Sequence, residues 1–376
     1  SGVRIMAYTT IDDPSAHFQT ALWSGDNATT QNITNDGNSD LQPDWVWVKC
    51  RNTSGNGFDH TVWDTSRGVD NNLNKSISPS QNDSQGLGAN VTTTAQLGGV
   101  SAMLSDGFTV REGSVDNDSR YVNENSRTYV GWQWKANGGS RTTFTESGNN
   151  PGGGYQANTT AGFSIVDYTG TGALGTLAHG LGVAPTVLLV KGLSDNHAWI
   201  VKHQTGAGNP VLILNENDAA SSGSSEFNNT APTSSVFTVN SAGGVNNDGQ
   251  NYIAYCFAPI QGYSKFSKYT GNGNTDGPFV YTGFKPAWLM IKRSDSANSW
   301  YLVDGTRGSS NVISAELEAN NDGAEATGNV RLDILSNGYK IRTSGAAYNA
   351  SGGTYVYMAF AENPFVSSEG VPTTAR

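Results

Sequence analysis

A short apolar run occurs three times in this chain, and that recurrence limits the fold more than any other feature. Pro286-Ala287-Trp288-Leu289-Met290-Ile291-Lys292 is its clearest copy. Pro43-Asp44-Trp45-Val46-Trp47-Val48-Lys49 and Pro185-Thr186-Val187-Leu188-Leu189-Val190-Lys191 are the others. In each, a proline opens a run of large apolar residues and a lysine closes it. Such a run is too short for a helix and rich in β-branched and aromatic side chains, so it reads as a strand buried on both faces. The proline is expected at the first strand position, where its missing N–H is tolerated. A buried strand that recurs implies a domain that recurs.

Other landmarks keep the same order in each copy. A first strand ends in an aromatic residue and a Ser/Thr-Gly turn: Phe18 to Gly25, Phe163 to Gly170, Phe266 to Gly271. After the repeated run comes a strand with an aromatic anchor, Thr61 to Asp64, Trp199 to His203 and Trp300 to Asp304, followed by a long Asn/Ser/Gly-rich excursion. Asp106-Gly107 and Asn337-Gly338 then sit between strand residues, as in two-residue hairpin turns with φ > 0. The second copy keeps the following strand, Val236 to Val239, without the glycine. Each copy closes with a strand of period two. One face carries Val130, Trp132, Trp134; Ile253, Tyr255, Phe257; Val356, Met358, Phe360, and the opposite face carries mostly smaller residues. Bulk on one side fits a strand packing across a sandwich.

The expected fold is all-β: three tandem antiparallel β-sandwich repeats, jelly-roll or lectin-like, of roughly a hundred residues each. The expected boundaries are a leader at 1–16, repeats at 17–136, 161–260 and 261–366, a flexible Gly/Asn/Thr-rich linker at 137–160, and a polar tail at 367–376. Within the leader, Ser1 to Ile5 read as an addition before a natural start at Met6. Composition agrees, because 46 glycines and only 14% charged residues do not suit helices, while 10% aromatic residues do not suit disorder. A formal charge of −10 without any basic cluster argues against nucleic acid and an anionic membrane surface as partners. No apolar run reaches membrane-spanning length and no signal peptide opens the chain. Cys50 and Cys256 fall in different repeats and are expected to be free and buried.

Candidate chemistry is sparse. There is no nucleophile elbow, no phosphate loop and no histidine pair at metal spacing, so no catalytic residue, metal ligand or cofactor is expected. Asp64-Thr65-Ser66-Arg67-Gly68 and Asp304-Gly305-Thr306-Arg307-Gly308 share an Asp-x-x-Arg-Gly turn that the second repeat lacks. Asp64, Arg67, Asp304 and Arg307 are candidate sugar ligands, since carboxylate, guanidinium and a nearby aromatic ring often meet at a carbohydrate. The alternative is an Asp–Arg pair bracing a tight turn. His203 stands where the other repeats have aspartate and reads as a turn residue. Glu316 and Glu318 would share one strand face; a glycosidase pair is one reading, a solvated face the other. Asp116-Asn117-Asp118 and Asn246-Asn247-Asp248-Gly249 resemble pieces of calcium loops without the full spacing, and read as hairpin tips. Sequons such as those at Asn27, Asn32, Asn90 and Asn158 follow from composition.

The opening Met6-Ala7-Tyr8-Thr9-Thr10-Ile11-Asp12-Asp13-Pro14-Ser15 resembles the start of virion proteins from marine tailed bacteriophages, described as tail-fibre-like or structural. The likeness continues through His179 to Pro185, Tyr252 to Ala258, Gly262 to Phe266, Asp276 to Phe284 and Tyr357 to Phe365, covering nearly the whole chain. It implies a non-enzymatic particle protein, made in the host cytoplasm and located in the virion, but supplies no binding residues. The expected function is a tail- or fibre-associated structural protein. It would contact other virion proteins, form a homo-oligomer with a trimer favoured, and meet host surface glycans. A receptor- or glycan-binding module and a capsid decoration protein are the alternatives, with a polysaccharide depolymerase behind them.

Overall fold

Runs of alternating or continuous apolar residues become strands throughout, and the computed structural model is mostly β, in several antiparallel sheets. It describes residues 7–53, 58–69, 75–86, 98–113, 120–204 and 210–373. The proposed start at Met6, the Asn90 sequon and Asp116-Asn117-Asp118 lie outside these residues. Among the described residues, no helix is long and apolar enough to cross a membrane.

The first unit contains β1 (Phe18–Ser24), β2 (Thr30–Ile33), β3 (Trp45–Cys50), β4 (Thr61–Asp64), β5 (Gly99–Met103), β6 (Phe108–Arg111) and β7 (Thr128–Trp134). Next come β8 (Thr142–Phe144) and β9 (Gly152–Asn158). The second unit follows with β10 (Phe163–Thr169), β11 (Gly175–Ala178), β12 (Val187–Gly192), β13 (Ile200–His203), β14 (Val211–Ile213), β15 (Val236–Val239) and β16 (Asn251–Phe257). The third has β17 (Ser264–Thr270), β18 (Phe279–Tyr281), β19 (Phe284–Arg293), β20 (Trp300–Asp304), β21 (Leu317–Glu318), β22 (Leu332–Leu335), β23 (Gly338–Ile341) and β24 (Thr354–Pro364). The main sheets run β1-β7-β3-β4, β14-β13-β12-β16-β10-β9-β8 and β17-β24-β19-β20-β21. In all three the closing strand lies between the first strand and the repeated apolar strand. Smaller sheets, β2-β6-β5, β11-β15 and β18-β23-β22, complete the units.

Three expectations change. The stretch 137–160 is not a flexible linker: β9 pairs with β10 from Asn158↔Phe163 to Gly152↔Thr169, and β8 pairs with β9 outside it. Its glycines serve close approach, because a Cβ at Gly153 would lie 2.0 Å from the Asp167 carbonyl oxygen. Pro286 is not at a strand end. It sits inside β19 at a register shift against β24, a position where a missing donor costs little. In the third unit Leu335 pairs directly with Gly338, so Ser336 and Asn337 make the turn. Gly338 is needed because a Cβ there would lie 2.2 Å from the Val280 carbonyl oxygen of edge strand β18.

The largest correction concerns the bulky face of the closing strands. Val130, Trp132, Trp134, Ile253, Tyr255, Phe257, Val356, Met358 and Phe360 do not pack across a sandwich. All nine belong to one central core that draws on all three units. Trp45 stacks on Tyr255 at 4.5 Å, and Phe360 meets Trp134 at 5.6 Å and Phe257 at 5.9 Å. The small-residue face turns outward to the smaller sheets, where Cys256 and Ala359 join separate cores. At Gly131 a Cβ would already meet Phe108 at 3.0 Å, so that position of β7 is closely packed against the smaller sheet. Large side chains fill the axis where three sheets converge. Cys50 and Cys256 are free and buried, as expected.

Candidate functional site

The lysine that closes each repeated strand is fully buried, so its ammonium must find carbonyl acceptors. Lys49 Nζ donates to Cys50 O at 2.7 Å and to Asp322 O of the third unit at 3.2 Å. Lys191 donates to Gly192 O at 2.8 Å and to Asn82 O of the first unit at 3.3 Å. Lys292 donates to Arg293 O at 2.7 Å and to Asn217 O of the second unit at 3.3 Å. Burial pulls their pKa values down to about 8, 7 and 8. A second set of donors makes the same circuit. His60 Nε2 meets Glu318 O at 3.0 Å, Trp199 Nε1 donates to Ser78 O at 2.6 Å, and Trp300 Nε1 donates to Ile213 O at 2.8 Å. Trp47 donates to His60 Nδ1 at 2.8 Å, which leaves Nε2 as the protonated nitrogen of a neutral ring. Burial holds the His60 pKa well below its ordinary value. Unit one thus reaches unit three, three reaches two, and two reaches one: the contact is head-to-tail and closes on itself.

The two Asp-x-x-Arg-Gly turns sit at junctions of this ring. Asp64 accepts from Arg67 N at 2.9 Å and pairs with Arg67 Nε at 2.5 Å, while Tyr255 of the second unit donates to it at 2.7 Å. Asp304 accepts from Arg307 N at 2.8 Å and pairs with Nε at 2.5 Å, and Trp132 of the first unit donates to it at 3.0 Å. At Arg67 and Arg307 burial is the largest influence and works against the charge, but Asp64 with Tyr255, and Asp304 with Glu325, together outweigh it and the pKa values rise. Asp304 and Arg307 have fully sealed side chains and present no atom to a ligand. His203 fills the matching position of the second unit and meets Tyr357 O at 3.2 Å. Across that junction stands Met358, which offers no donor comparable to Trp132 or Tyr255. A carboxylate there would lack the cross-unit donor that Asp64 and Asp304 have.

The junctions also differ beyond the arginine. Between the third and first units, Glu325 receives Arg307 Nη1 at 2.9 Å and Arg51 Nη2 at 2.8 Å. Between the first and second, Gln85 and Leu193 hold the corresponding places. The backbone bonds that align them are equivalent: Glu325 N to Arg51 O at 2.8 Å, and Gln85 N to Leu193 O at 2.9 Å. Among the described residues, Arg67 Nη1 therefore meets the Lys75 carbonyl and, at 3.5 Å, Gln85 Oε1. A groove of about 600 Å³ opens beside it, floored by Gly152 and Gly153 and bearing Arg67, Lys75, Arg141 and Asp167. Another cavity, of about 610 Å³, lies in the third unit beside the Lys285–Glu362 pair.

Remaining candidates fall into structural roles. Glu316 is not on a solvated face; it is buried, bonded to Arg331 Nη2 at 3.0 Å and to the Tyr348 hydroxyl. Asn246 is buried and clamps the Thr-Gly turn, accepting from Thr171 N at 2.9 Å and donating to Ala173 O at 2.6 Å. Asn123 and Asn349 make the corresponding clamps on Asp26 and Asn272. The signal for them was present as an Asn-x-x-x-x-x-Tyr spacing at Tyr129, Tyr252 and Tyr355. Among the described residues, no three His, Cys, Asp or Glu side chains gather as a metal-binding group.

No curated protein matches the sequence. A family profile described as a domain of unknown function, DUF7483, matches residues 13–364, and over that span, nearly the whole chain, the protein belongs to this family.

Proposed function

We propose that the chain is a non-enzymatic structural protein of a tailed-bacteriophage virion, associated with the tail or a fibre, with units of jelly-roll or lectin-like type. The observation that carries this reading is the resemblance of the stretches quoted between Met6 and Phe365 to tailed-phage virion proteins. The shared core supports it, because three units that bury their largest side chains against one another act as one stiff part, suited to spacing or display. Its partners on this reading are other virion proteins and host surface glycans, and its location is the particle. A homotrimer is the form a fibre would favour. The ring already uses a closed head-to-tail contact within one chain, so a trimer would need a different surface. Light scattering on the purified chain measures which form exists.

Antibody labelling of purified particles tests the assignment. Label on the tail or fibres supports it, and label over the head moves it to the capsid-decoration alternative. Absence of the chain from purified particles removes the virion reading altogether.

A further inference from the structure

The ring compares each junction with its own relatives. Where the third unit meets the first, the arginine of the turn receives a carboxylate from Glu325, and Arg51 closes over it. Where the first meets the second, Gln85 stands in place of that carboxylate and Leu193 in place of that arginine, and both line the groove of about 600 Å³. Its walls bring Arg67, Lys75 and Arg141 together against Asp167, on a chain whose formal charge is −10. Asp167 is already held by Arg141 Nε at 2.7 Å. Ser66, Ser194 and Asn251 line the same groove.

We propose that this groove binds a carboxylate-bearing sugar, a uronic acid residue of a glycan, whose carboxylate takes the place that Glu325 fills at the sister junction. The Arg67 side chain is 3% exposed and paired with Asp64, with Gln85 Oε1 over Nη1 at 3.5 Å, so a ligand carboxylate reaches the guanidinium by exchanging with the Gln85 amide. A charge-assisted bond to an ionised carboxylate is stronger than that neutral contact. Lys75 and Arg141 add positive charge at the rim, and the polar residues lining the groove match the sugar's hydroxyls. This inference does not depend on the virion assignment.

The experiment is calorimetric titration of the full chain with sodium D-galacturonate and its short oligomers, with D-glucose and acetate as controls. Galacturonate should bind more tightly than either control and weaken with added salt. Lys75→Gln and Arg141→Gln should each weaken binding about tenfold. Gln85→Glu should abolish binding while leaving the melting temperature unchanged or higher, because it supplies the missing carboxylate internally. Galacturonate binding no tighter than glucose or acetate overturns the proposal. So does unchanged binding in Gln85→Glu, or, should that variant not fold, unchanged binding in both Lys75→Gln and Arg141→Gln.

Discussion

Asp304 holds three groups at once: the Arg307 backbone, the Arg307 guanidinium and the indole of Trp132 from another unit. Replacing a buried ion pair by apolar residues can be neutral, but removing Asp304 alone leaves Arg307, among the described residues, with only the Glu325 carboxylate that it shares with Arg51 and leaves the buried Trp132 N–H without its acceptor. Asp304→Ala should therefore cost about 3–5 kcal/mol, read from urea denaturation. His203→Ala, which leaves no charge behind, should cost about 1 kcal/mol. The buried lysines set a pH dependence of their own. Lys49, Lys191, Lys202 and Lys292 have folded pKa values pulled by burial to about 8, 7, 8 and 8. The unfolded chain, with lysines near ~10.4, binds more protons in the interval between, so stability rises with pH there. Buried Tyr168, Tyr269 and Tyr339 are pushed well above their ordinary value, so above pH ~10 the unfolded chain loses phenolic protons first and stability falls. The melting temperature should climb from pH ~7 to ~9.5 and then drop. Lys191→Met should flatten part of the climb; a melting temperature that falls steadily from neutrality would rule the account out.

At the scale of elements, β9 gives the sharpest test. A flexible linker tolerates a side chain anywhere, whereas Gly153 faces the Asp167 carbonyl oxygen at 2.0 Å from a built Cβ. Gly153→Ala should destabilise by about 1–3 kcal/mol, the usual range for forced overpacking. Gly249→Ala, at a φ of +69° with nothing within 4 Å, should cost only the left-handed penalty of about 1–2 kcal/mol. Comparing the two melting curves separates steric from conformational cost. The same strand shows what could be read in the sequence. The repeated apolar strands and the period-two closing strands were legible because burial writes itself into side-chain size. β9, opening with Gly152-Gly153-Gly154, was not, since those residues are specified by how near β10 lies rather than by side chains of their own. The Asp-x-x-Arg-Gly turns were legible as turns. The Asp–Arg brace within each turn was legible too, but their place at the unit junctions was not, because the partners Tyr255 and Trp132 come from other units at distant sequence positions. The groove was invisible for the same reason: it exists only by contrast between Gln85 and Glu325 once the ring is closed.

For the whole molecule, the shared core decides whether the units are domains in the energetic sense. The second unit contributes Ile165, Leu189, Trp199, Val201, Tyr255 and Phe257 to it. Taken alone, that unit would return these six side chains to water at about 1.5–3 kcal/mol each, or about 9–18 kcal/mol together. A domain of such size has only about 5–15 kcal/mol of net stability, so the isolated unit has too little to remain folded. It would also lose the donors Trp199 and Lys191 send to the first unit, and the hydroxyl that Tyr255 gives Asp64. Three independent sandwiches would melt in separable steps; a ring closed on one core must lose all three together. Scanning calorimetry of the full chain should accordingly give a single transition whose van't Hoff and calorimetric enthalpies agree. Residues 161–260 expressed alone should show no cooperative melt. Three resolved transitions, or a cooperatively folded middle fragment, would mean that the central aromatic cluster is a contact between finished domains rather than the core that makes them fold.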